Sequence, residues 1–251
     1  MESIYNNNKL FIGLSGGINS MDLLCWLKEQ NIQCSELHLY YAHFKEHSPD
    51  TFKFVKAGIR FARQYFKNVI VTVTRNSVLE YFEKQNLIPH PTNGACSKWL
   101  KIIPMQEYCF RNNIKYDLVG YVKHELKRRT ERQLKHIQIS LFDAEKVYTI
   151  GDFTDEWCFE IVLKHLGWYP AIYDIKDSKG KRIFKHNNCL PCKNMRTKDM
   201  EAVKIYYPTY HANAMVLSNK LKKYWGRNKD EFYLTFGRDL GQDSSCAICK
   251  F

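Results

Sequence analysis

The hydrophobic pattern of the chain changes period repeatedly over its first 150 residues. Short apolar runs at 9–14, 37–42 and 69–73 predict strands, the last rich in β-branched residues. Each is followed by apolar residues at helical spacing, over 20–30, 50–65 (Phe54, Ala57, Ile59, Phe61, Ala62) and 78–85. A helix over 97–112, a strand over 116–121 and a basic helix over 124–136 extend the alternation. Strands alternating with helices predict an α/β fold, a doubly wound parallel sheet covered on both faces. Past residue 150 the pattern is helical (155–166), then loop-like around Pro170 and Gly180, with a last helix near 214–224. We expect an α/β domain over 1–150 and a helical, cysteine-bearing segment over 151–251 packed on it.

Between the first strand and the first helix stands GLSGGINS, residues 13–20. Adjacent glycines let the backbone approach a phosphate, and a following helix directs N–H groups at the anion. Ser15 and Ser20 add hydroxyls. The spacing is neither that of a Walker loop nor that of a dinucleotide fingerprint. In open α/β sheets ligands bind beyond the carboxyl ends of the strands, which is where this loop lies.

Charge and cysteine usage sharpen the picture. Lys and Arg number 38 against 26 Asp and Glu, a net +12 that suits polyanionic partners, nucleotides or nucleic acids. No stretch approaches the ~18 apolar residues needed to span a bilayer. The N-terminus, MESIYNNNKL, lacks the basic and apolar regions of a secretory signal, so we expect a cytoplasmic protein with no membrane partner. Nine cysteines in such a chain argue for metal or redox chemistry rather than disulfides. Two Cys-x-x-Cys pairs, Cys189/Cys192 and Cys246/Cys249, stand with Cys96 as the candidate thiolate ligands. Thiolates suit an iron–sulfur cluster or a structural zinc, and both remain open. Cys25, Cys34, Cys109 and Cys158 lie in apolar contexts and read as core residues. On the basic helix Glu125, Arg128, Arg129 and Arg132 share one face, and Arg forks suit phosphate or sulfate.

The loop SGGINS resembles the SGGxDS loop of the PP-loop ATP pyrophosphatases, with Asn19 where that family has Asp. An Asp there can hold Mg²⁺, whereas Asn keeps the hydrogen bonds and loses the charge. Further segments resemble the branch containing phosphoadenylyl-sulfate and adenylyl-sulfate reductases. KEHSPDTFKFV is similar to its TGxExPxTxxFV, with Glu46, Pro49, Thr51 and Val55 in place. VGYVKHELKRR is similar to G-x-R-x-x-E-S-x-x-R, matching at Gly120, Glu125 and Arg129, with Val122 and Leu126 replacing Arg and Ser. CSKWLKIIP resembles the CCxxRKVxP of the cluster-bearing reductases, with Cys96 at the first cysteine and Ser97 at the second.

The resemblance implies ATP or adenylyl sulfate held by Ser15, Gly16, Gly17, Asn19, Ser20, Glu46, Gly120, Glu125 and Arg129. It implies a [4Fe-4S] cluster on Cys96, Cys189 and Cys192, with Cys246 or Cys249 as fourth ligand, structural Zn²⁺ being the alternative. The tail cysteines Cys246 and Cys249 stand where family reductases carry a nucleophile, so with Arg129 they are the catalytic expectations. Three activities remain open. They are ATP-dependent sulfur transfer to a nucleic acid such as tRNA or DNA, reduction of adenylyl sulfate, and a nucleotide- or nucleic-acid-binding module without chemistry. The first two also require an external thiol, electron or sulfur donor.

Overall fold

The computed structural model describes residues 2–88, 94–127, 144–187 and 189–221. After a short helix α1 (Glu2–Tyr5) the chain runs β1 (Lys9–Leu14), α2 (Ile18–Glu29), β2 (Glu36–Phe44), α3 (Thr51–Tyr65), β3 (Val69–Asn76) and α4 (Val78–Lys84). A single turn α5 (Ala95–Ser97) passes through a π-helical turn, Lys98–Ile102, into α6 (Ile103–Arg111). Then come β4 (Tyr116–Leu118), a helical turn α7 over 123–127, β5 (Glu145–Val147), α8 (Asp155–Leu166), α9 (Thr197–Tyr206) and α10 (Pro208–Leu221).

The five strands form one parallel sheet in the order β3-β2-β1-β4-β5. This is the doubly wound fold read from the sequence. The order reverses between β1 and β4, the switch point at which such sheets place their ligands. Buried parallel strands are apolar on both faces. Accordingly Leu10, Phe11 and Ile12 of β1 and Leu37, Leu39 and Tyr41 of β2 are fully enclosed.

Several boundaries differ from the sequence pattern for local reasons. The helix expected over 97–112 is interrupted because Pro104 offers no amide to the preceding turn, so α6 begins anew with that proline in its first turn. Strand β4 stops at Leu118, because the chain then turns at Gly120 beneath the backbone of Asn19. Strand β5 and helix α9 were not expected. Glu145–Val147 carries two charges in three residues and shows no alternation.

The chain groups into two compact units with discontinuous boundaries. The first comprises 2–43, 49–74 and 102–171 and holds most of the sheet. The second comprises 44–48, 75–101 and, among the described residues, 172–221. In the first, α2 packs on α3 and α8; in the second, α10 packs on α4 and α9.

Candidate functional site

Two clusters of candidate side chains stand out, one in each unit. In the first unit the glycine loop leaves β1 and turns at Gly16, whose φ of +75° is a left-handed conformation that glycine adopts without strain. The loop is then locked by its serines. Ser20 Oγ donates to the Gly17 carbonyl (3.0 Å) and accepts from the Ser15 amide (3.2 Å). Because the single Ser20 proton is used, the 3.1 Å contact between the two hydroxyls must have Ser15 as donor. Ser15 Oγ in turn accepts from the Gly17 amide (3.1 Å). Gly17 occupies the N-cap of α2 and makes no side-chain cap hydrogen bond.

Residues just after β4 and in α7 close on the same loop. A Cβ at Gly120 would stand 2.9 Å from the Asn19 carbonyl oxygen, so only glycine lets the two backbones approach so closely. Asn19 Nδ2 donates to Glu125 Oε2 at 3.3 Å, and Glu125 is buried. Asn19 thus supplies a donor where an Asp would face a second carboxylate. Val122, at a position where the resembling reductase pattern has Arg, is fully buried in the core.

Behind the loop lies a group that the sequence signalled only as a first-turn acid. Asp22 on α2 has no exposed surface, and neither oxygen has an N–H or O–H donor. Its neighbour is the Cys158 thiol of α8, a weak donor. Burial raises the Asp22 pKa to about 7, the Cys158 contact lowers it slightly and Glu29 adds to the rise. Burial, with the Asp22 charge second, also pushes the thiols of Cys25 and Cys158 upward. These two, with the buried Cys109, are core cysteines as expected, and Cys34 is half-buried.

In the second unit Cys96, Cys189 and Cys192 line one cavity of about 40 Å³, together with Ser97, Lys101 and Lys193. The sequence named the three cysteines; folding brings them together from two distant segments. Cys189 is enclosed, and burial raises its pKa while Lys101 pulls the other way. Lys193 is itself buried, donating to Asn194 Oδ1 at 3.1 Å, and Lys101 lies 4.8 Å above the Phe44 ring. Ser97 Oγ is 4.0 Å from Cys96 Sγ. The two lysines are the residues sequence reasoning missed. Lys101 was visible inside CSKWLKIIP and Lys193 directly after the Cys pair, yet nothing local marked them as facing thiols.

Glu46 belongs to this unit and organises it. Its carboxylate accepts from Ser77 Oγ (2.5 Å), Val78 N (2.9 Å) and Leu79 N (3.2 Å), binding the first turn of α4. Its carbonyl accepts from the Leu190 amide at 2.7 Å, inside the Cys-x-x-Cys turn. A second tie closes that turn, where Cys192 N donates to Met195 Sδ (3.3 Å).

The soft thiol set suits iron–sulfur or zinc by its chemistry. Among the described residues, however, no group of three or more His, Cys, Asp or Glu is arranged to hold a metal ion. The three thiols share a cavity without closing on a common centre. Arg129, Cys246 and Cys249, together with Arg128 and Arg132, lie outside the described residues. No helix among the described residues is long and apolar enough to cross a membrane.

No protein-family model and no curated protein matches the chain. Solved structures similar to it include the U34-tRNA thiolase NcsA from Methanococcus maripaludis with its [4Fe-4S] cluster (12% identity over 95% of this chain and 83% of that one, TM-score 0.48). They also include a phosphoadenylyl-sulfate reductase from Candida auris in a phosphate complex (15%, covering 66% and 76%, TM-score 0.43). A third is the NMN synthetase from Francisella tularensis (13%, covering 96% and 88%, TM-score 0.45).

Proposed function

We propose that the chain is an adenine-nucleotide-binding enzyme of sulfur metabolism that uses ATP to transfer sulfur to a nucleic acid. The observation that carries this reading is the cavity in which Cys96, Cys189 and Cys192 meet Lys101 and Lys193. Lys101 opposes the burial that holds Cys189 as a thiol, and the thiolate is the nucleophilic form of cysteine. The locked glycine loop at the start of α2 supplies the nucleotide end, and the net charge of +12 suits a polyanionic acceptor.

A carbonyl oxygen of the acceptor attacks the α-phosphorus of ATP, and pyrophosphate leaves. The outer sulfur of a cysteine persulfide, loaded by a sulfane-sulfur donor, attacks the activated carbon and AMP leaves. A second pocket thiolate attacks the inner sulfur, releasing the thiolated acceptor and forming a disulfide. An external dithiol returns two electrons to restore the thiols. Cys96, Cys189 and Cys192, completed by Cys246 or Cys249, are the ligands a [4Fe-4S] cluster or zinc would use, and no step above depends on it. Arg129 keeps the anion-binding role that the resemblance implies.

Asn19 favours a second reading, reduction of adenylyl sulfate, because the loop lacks the Asp of the ATP-cleaving pattern. In that reaction a thiolate takes the sulfur, AMP leaves, and a second thiol releases sulfite as a disulfide forms. One assay separates the two. ATP with nucleic acid and a sulfane donor should yield AMP, pyrophosphate and thiolated product, whereas sulfite from adenylyl sulfate supports the reductase. Nucleotide binding with neither product overturns both and leaves a binding module. Iron, sulfide and zinc content of anaerobically purified protein decides the metal.

A further inference from the structure

Helix α3 has a solvent face that nothing in the nucleotide loop or the thiol cavity uses. Its sequence, TFKFVKAGIRFARQY, contains four cations and no acid. At 100° per residue Lys53, Lys56, Arg60 and Arg63 fall within an arc of roughly 80°, and at 1.5 Å per residue they span about 15 Å. All four are exposed, and Lys67, just beyond the helix end, is exposed as well. None of the five takes part in the ion pairs of the described residues. Lys56 also lies 4.5 Å above the ring of Phe52.

Such a row works against the helix that carries it. The pairs 53/56, 56/60 and 60/63 are like charges at spacings where neighbours repel. The nearby acids are engaged elsewhere. Glu29 of α2 is held by Lys164 and His165 of α8, and Asp50 accepts from the Ala171 amide. The repulsion turns favourable once a polyanion lies along the row.

We infer that the solvent face of α3, carrying Lys53, Lys56, Arg60 and Arg63, is a docking surface for the phosphodiester backbone of a nucleic acid. Its length matches the axial rise of roughly four successive phosphates of one strand. A membrane fits less well, because the apolar face of α3 (Phe54, Val55, Phe61, Ala62) is already buried in the core and has nothing left to insert. Position fits too. Helix α3 starts just beyond the carboxyl end of β2, at the sheet edge where β1 opens into the glycine loop, so a strand laid along α3 reaches that edge at Lys53. The inference deepens the proposed nucleic-acid acceptor and rests on that reading for its catalytic meaning, not for the binding itself.

The test is fluorescence anisotropy of full-length protein with a labelled RNA hairpin and a DNA duplex between 50 and 200 mM KCl. The triple variant Lys56→Gln, Arg60→Gln, Arg63→Gln should bind at least about tenfold more weakly. Its slope of log affinity against log salt should be shallower by about two to three, at ~0.7–0.9 per lost phosphate contact. Arg60→Lys with Arg63→Lys should bind like wild type, since a phosphate row needs charge rather than a fork, and this variant separates charge loss from misfolding. An unchanged affinity and slope in the triple variant overturns the inference. So does wild-type protein that ignores both nucleic acids while binding phosphatidylserine vesicles. AMP production by the same variants keeps the two readings apart. Lost binding by the triple variant, with no AMP formed by wild type, leaves the docking face standing and removes sulfur transfer. Nucleic-acid-dependent AMP formation that the triple variant retains in full does the reverse.

Discussion

The two groups of thiols in this protein differ in their exposure and in the charges beside them. Cys25 and Cys158, between α2 and α8, share their space with the Asp22 carboxylate, and burial beside an anion holds both as neutral thiols. Cys96, Cys189 and Cys192 share theirs with two lysines, one of them buried. Cysteine chemistry follows access and the thiolate, and Cys96 and Cys192 are half-exposed where Cys25 and Cys158 are buried. Cys189 is enclosed like a core cysteine and its pKa is raised by burial as theirs are, with Lys101 pulling the other way.

The largest effect should appear in thiol labelling. Under native conditions Cys96 and Cys192 should be alkylated at least about a hundredfold faster than Cys25 and Cys158, as read by mass spectrometry of timed iodoacetamide reactions. Equal rates for both groups would erase the distinction drawn here.

Next in size is the pH dependence of the sealed cluster. The folded pKa of Asp22, about 7, lies above its unfolded value, so its contribution is fully present below about pH 4 and is lost as pH rises through 7. Asp22→Asn should therefore stabilise the protein by on the order of 2–4 kcal/mol at pH 8 and by little at pH 4. Denaturant midpoints at the two pH values measure this, and a pH-independent difference would mean that the carboxyl is not charging inside the fold.

A smaller effect belongs to the glycine loop. Asn19→Asp puts a second carboxylate against Glu125, at a contact that is 3.3 Å long with the amide. Like charges so close cannot both ionise cheaply, so nucleotide binding at pH 8 should weaken roughly tenfold and recover when Glu125→Gln is added. An Asn19→Asp variant that binds as tightly as wild type would show that the Asn19–Glu125 contact does not hold the loop.

Much of this was legible in the chain because it is local. The strand, glycine loop and helix from Lys9 to Glu29 are encoded in one continuous stretch, so periodicity and glycine placement suffice to read them. The row of cations on α3 is equally open to reading, since helical spacing alone puts them on one face. What the sequence could not supply is whatever depends on long-range approach. The second unit is assembled from three separated segments, so no compositional boundary marks it. Glu46 reaches α4 and the Cys189–Cys192 turn across the chain, and Asp22 becomes an uncompensated buried acid only when α8 covers it. Residue types and spacing determine which groups are available; desolvation and neighbouring charge, which exist only once distant segments pack, decide which of them can react.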